Sequence, residues 1–100
     1  MSKKSIKNIV EETLELFGGE QVRNAVLFHM NLRYKVKPEE ALSKVEAFVE
    51  ALKDIYGPFE GPIEKEICSR IASEYGIKYS GNSLVELAKE IKKEQKLQNV

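Results

Sequence analysis

Glycine and proline divide this chain into segments of helical periodicity, and this punctuation limits the available folds more than any other feature. Glycine ends helices because it adopts the left-handed conformation without a Cβ penalty, and proline is favoured at a first helical position. The only run that could form a strand is IKYS at 77–80, which is too brief to change the class. The pattern predicts an all-α fold, with breaks at Gly18–Gly19, at Pro38, in GPFEGP at 57–62, at Gly76 and in SGNS at 80–83.

Five segments carry apolar residues at the spacing of an amphipathic helix. They span about residues 5–17, 20–35, 38–56, 62–75 and 83–91. A chain of 100 residues without a linker or an internal repeat is expected to form one domain. We therefore predict a single compact five-helix domain over 1–100, with an ordered core at about 5–92. The apolar stripe is lost beyond Ile91, so residues 93–100 are predicted to fray.

The second segment is apolar around most of its circumference. On a helical wheel its apolar arc sweeps from Phe28 to Leu27, and Arg23, Asn24 and Asn31 mark the polar side. A helix of this kind is usually surrounded by the others. The sequence therefore predicts that the second helix is the central one.

This segment also carries more apolar surface than a small bundle is expected to bury. Part of its arc lies on the side away from Phe28 and Leu32, and an exposed apolar patch usually marks a contact site. We therefore predict a surface for a protein partner or for self-association, such as a homodimer, at Leu27, Met30 and Tyr34, with Arg33 and Phe59 as further candidates.

Two of these residues have alternative interpretations. Arg33 lies on the apolar side of the second segment, so it must reach water or a carboxylate, with Glu64 or Glu66 as the expected partner. The alternative is a recessed cationic anchor for an acidic group. Phe59 is expected to pack into the core from a stiff connection. The alternative is a rigid exposed loop that presents Phe59 and Glu60 to a partner.

His29 and Cys68, the only histidine and the only cysteine, are the residues most capable of chemistry. We expect His29 in the core or at its edge, held neutral by desolvation and by nearby Arg33. Cys68 is expected to be buried, because cysteine behaves as a small hydrophobe. An enzyme would need both residues and a glutamate to converge in a pocket. No zinc-binding cysteine pair and no phosphate-binding loop is present, so the sequence predicts a protein that is not an enzyme and binds no cofactor or metal.

The charge balance restricts the partners. Sixteen basic and sixteen acidic residues give a net charge of zero, which argues against strong binding to nucleic acid or to an anionic membrane. There is no signal-peptide pattern and no run of 18 apolar residues, so a soluble, cytoplasmic protein is predicted. A nucleic-acid-binding regulator stays open as the alternative. Segments one and two meet at a tight GGE turn, as in a helix-turn-helix, and the second offers Gln21, Arg23 and Asn24 near its start.

The order of these motifs resembles a known family. LFGGEQVRNAVLFHMNLRY followed by KPEEALSKVEAFVEALKDIYGPFEGPIEKEICSRIASEYGI is similar to the Nitrosopumilus output domain 5 family, a small archaeal family of unknown function. The resemblance covers roughly residues 10–91. It implies an all-helical domain, which follows signal-receiving domains in some relatives and is interpreted there as an output or interaction module. It implies no activity and no functional residues.

Overall fold

The protein is all-α, as the sequence predicts. A computed structural model describes residues 3–98, with side chains as far as Lys93. No strand occurs within that range, and the IKYS run is irregular. The elements are α1 (Ile6–Leu16), α2 (Gly19–Tyr34), a 3₁₀ turn (Pro38–Glu40), α3 (Val45–Tyr56), a second 3₁₀ turn (Gly57–Phe59), α4 (Glu60–Tyr75) and α5 (Leu84–Gln98).

The core is centred on α3 and α4. α4 packs against α1, α3 and α5, and α3 packs against α2, α4 and α5. Phe48 and Leu52 of α3 are fully buried. Ile63, Ile67 and Ile71 of α4, four residues apart and therefore on one side of the helix, are buried as well. The stripes predicted for the third and fourth segments are confirmed.

The second helix is peripheral, so the prediction that it is central is wrong. α2 packs on α1 and α3, and its buried residues are Val26 and Met30. Phe28 is 63% exposed and Leu32 is 55% exposed. A wheel shows that apolar residues surround the helix, but two neighbouring helices on one side can cover only that side.

The segment predicted as one helix over 38–56 is broken. Pro38–Glu40 forms a 3₁₀ turn that packs against α1, residues 41–44 form further turns, and α3 begins at Val45. Glu40 folds back, so that its Oε1 accepts a hydrogen bond from the backbone N–H of Lys37 at 2.9 Å. Ala41 is fully buried. Packing this segment across α1 requires a change of direction that a continuous helix cannot make.

The start of α5 is fixed from two sides. Ser83 Oγ accepts a hydrogen bond from the N–H of Glu86 at 3.3 Å, as their capping-box spacing predicts. Glu64 Oε2, from α4, accepts a bond from the N–H of Leu84 at 2.7 Å. The helix continues beyond Ile91 to Gln98. The end of the predicted frayed tail, 99–100, lies outside the described residues.

Candidate interaction surface

The outward side of α2 carries an apolar stripe, the α2 face, formed by Val22, Ala25, Phe28 and Leu32. These residues are exposed and recur every three or four positions, so they line one side of the helix. The Phe28 ring meets the ring of His29 edge-on, with centroids 5.9 Å apart and planes at 77°. Within residues 3–93, whose side chains are described, the stripe is an apolar surface that no other element covers.

Three of the residues predicted to form an interaction surface lie on the core side of α2, whereas the other two, Arg33 and Phe59, are exposed. Met30 is fully buried, and Leu27 and Tyr34 are half-buried against the core. The apolar residues that stay exposed are instead Phe28 and Leu32, which the wheel placed inward. The sequence contained both arcs, but it could not show which of them α1 and α3 would cover.

Arg33 lies at the edge of the α2 face, near its C-terminal end. Its guanidinium Nη1 is 3.5 Å from Oδ2 of Asp54 on α3, and both side chains are largely exposed. The predicted partners Glu64 and Glu66 are therefore replaced by Asp54. Because the guanidinium is exposed, the site is not the recessed cationic anchor considered as the alternative.

Phe59 lies on a second apolar surface. It is 73% exposed, so the expectation that it packs into the core is wrong. With Phe17, Tyr56 and Pro62 it lines a shallow groove of about 310 Å³ whose floor includes Ile63. The alternative of an exposed loop is correct for Phe59 and wrong for its neighbour Glu60, which is buried.

The two residues most capable of chemistry lie in different surroundings. His29 is exposed on α2, so its predicted core position is wrong. Cys68 is 1% exposed on α4, as predicted. Burial raises the pKa of the Cys68 thiol to about 12, and the negative charges of Glu64 and Glu60 contribute. A thiol with so high a pKa is a poor nucleophile at neutral pH.

A buried carboxyl pair, which the sequence reading missed, lies at the start of α4. Glu60 is 7% exposed and Glu64 is 8% exposed. Burial, a hydrogen bond to Glu64 and the charge of Glu64 together raise the pKa of Glu60 to about 7, and the charge of Lys53 opposes them. Glu60 Oε2 and the Tyr56 hydroxyl are buried without a hydrogen-bond partner among the described residues. In the sequence, Glu60 and Glu64 share the three- and four-residue spacing of Ile67 and Ile71. This spacing indicates that the two glutamates lie on the buried side of the helix.

Of the three residues offered for the helix-turn-helix alternative, Gln21 and Asn24 are exposed, and the only basic one, Arg23, is paired within the protein. Arg23 donates to Glu15 at 3.2 Å and lies 3.8 Å from Glu20, and its side chain is 24% exposed. A side chain held in this way does not form the exposed basic surface that phosphate contacts require. Within residues 3–98, no helix has the length and apolarity needed to cross a membrane.

Comparison of the chain with protein-family models, with curated proteins and with solved structures finds no match. The resemblance to the output-domain family therefore stays a prediction. The α2 face places two large exposed apolar side chains, Phe28 and Leu32, four residues apart on one helix.

Proposed function

We propose that this protein is a non-enzymatic helical interaction module that docks through the α2 face. The observation that carries the proposal is the exposure of Phe28 and Leu32 on a helix whose opposite side is part of the core. Contiguous apolar surface of this kind on a soluble domain usually marks a contact site. Between Gln21 and Leu32 the only residue with a full formal charge is Arg23, which faces α1.

Burial of Phe28 alone would contribute substantially to docking. A phenylalanine side chain presents about 150–250 Å², so an exposure of 63% leaves roughly 100–150 Å² in water. At about 25 cal/mol per Å² this area is worth roughly 2–4 kcal/mol when it is covered. Aromatic residues of this kind are the usual centres of binding energy in protein interfaces.

The experiment compares two charged variants in a capture assay. Phe28→Glu with Leu32→Glu places two charges on the α2 face, and Phe59→Glu places one on the groove near the second 3₁₀ turn. Because all three residues are exposed, we expect circular dichroism to show that both variants fold. Proteins retained from the source lysate by the wild type should be lost with the Phe28/Leu32 variant and kept with Phe59→Glu. The proposal is wrong if both variants retain the same proteins as the wild type.

The family resemblance supports a wider context for this role. A net charge of zero argues against nucleic acid or an anionic membrane as the partner. It is therefore consistent with an output-like module that acts on a protein in the cytoplasm, in signalling or regulation. Such a module needs a surface that presents itself to a partner, and the α2 face meets that requirement. Membership of the family is part of this proposal.

A further inference from the structure

The α2 face has the dimensions and spacing of one half of a helix pair. Three residues of the α2 face, Ala25, Phe28 and Leu32, continue a series that begins at the exposed polar residue Gln21. The intervals in this series are four, three and four, which is the spacing of a seam between two packed helices. α2 contains 16 residues and is therefore about 24 Å long. A partner helix of similar length would cover the whole stripe.

The sizes of the seam residues are self-complementary. In an antiparallel pair with a two-fold axis between residues 25 and 28, Ala25 of one copy lies opposite Phe28 of the other. The small alanine leaves room for the phenylalanine ring, so the two exposed rings can interdigitate. In a parallel pair each Phe28 would meet its own equivalent, and each Ala25 would leave a gap.

The charges at the two ends of α2 favour the same arrangement. The N-terminal end carries Glu20, whose side chain is 71% exposed, and Glu15 lies beside it on α1. The C-terminal end carries Arg33 and the exposed Lys35. Antiparallel pairing brings the acidic end of each copy to the basic end of the other. With the two-fold axis between residues 25 and 28, Glu20 of one copy lies level with Arg33 of the other, and Lys35 directly follows the end of that helix at Tyr34.

We propose that two copies of this chain pair through their α2 faces in an antiparallel arrangement, with Phe28 of each copy over Ala25 of the other and Glu20 near Lys35. This inference rests on the proposed function, since it names a second copy as the partner. A stable interface covers about 800 Å² on each partner. A single 16-residue helix face offers less, so the dimer is weak and forms at micromolar or higher concentration.

The first test is sedimentation equilibrium at protein concentrations from about 1 μM to 1 mM, a range wide enough to detect a dimer that is weak. Phe28→Glu should weaken dimerisation at least about tenfold, whereas Leu16→Glu, with the same 63% exposure on α1, should leave it unchanged. Glu20→Lys and Lys35→Glu should each weaken it, and the two together should restore it. A monomer at every concentration, or a double variant no better than the singles, overturns the antiparallel pair.

The second test separates failure of the pairing from failure of the docking function. A benzophenone amino acid replaces Phe28, and the protein is irradiated alone and in source lysate. A cross-linked dimer joined through the peptide containing Ala25 supports the pair. An adduct with a different protein only overturns self-pairing and leaves the docking function standing. The absence of any adduct overturns both.

Discussion

Substitution of Glu60 by glutamine should make the protein more stable at alkaline pH. The ordinary pKa of a glutamate is 4.5, and the folded protein raises the pKa of Glu60 to about 7. Between these two values the folded chain holds a proton that the unfolded chain has released. Stability therefore falls as pH rises from about 4.5 through 7, and it levels off above the folded pKa.

The magnitude follows from the size of this shift. The difference between 4.5 and about 7 corresponds to roughly 3 kcal/mol at 1.36 kcal/mol per pKa unit. Glutamine has nearly the same shape, does not titrate, and can donate an N–H to Glu64 where the protonated carboxyl donates its O–H. The stability advantage of Glu60→Gln over the wild type should therefore grow by about 2–3 kcal/mol between pH 5 and pH 8.5.

The assay is urea unfolding followed by circular dichroism at both pH values. Glu46→Gln is the matched control, because Glu46 is an exposed helical glutamate on α3. It should change stability by no more than about 0.5 kcal/mol, and by the same amount at both pH values. An advantage of Glu60→Gln that does not grow with pH would show that Glu60 does not carry the extra proton.

Two further predictions concern the stability and the reactivity of single residues in the monomer. Lys35 ends α2 in the left-handed conformation, with φ of 55°. Glycine adopts this conformation without strain, so Lys35→Gly should stabilise the protein by about 0.5–1 kcal/mol, measured by urea unfolding at a protein concentration of about 1 μM. A loss of stability would mean that contacts of the lysine side chain outweigh the strain. Cys68 should react with a disulfide reagent at pH 8 at least about 100-fold more slowly in the folded protein than in urea. The reason is that its thiol is buried and has a pKa of about 12. Rapid labelling of the folded protein would contradict the packing of α4.

Local features of the fold could be predicted from the sequence because their causes are local. The Ile63, Ile67 and Ile71 stripe defines the buried side of α4 through periodicity alone, and Gly76 ends that helix in the left-handed conformation. The cap at Ser83 is likewise a matter of residue type and spacing. Each of these features depends on neighbours within one or two helical turns.

The side of a helix that becomes buried depends on which other helix reaches it, and this is where sequence reasoning failed. Periodicity gives α2 two apolar arcs of similar strength, one containing Met30 and one containing Phe28, and only the packing of α1 and α3 selects between them. The burial of Glu60 was missed for the same reason, because it depends on which elements pack over the start of α4. The two errors carry different information about function. A buried carboxyl next to Glu64 concerns stability and its dependence on pH. The apolar arc that the described residues leave uncovered is the surface proposed for docking. A surface that becomes buried only on association has the apolar pattern of a core in the sequence and is exposed in the monomer.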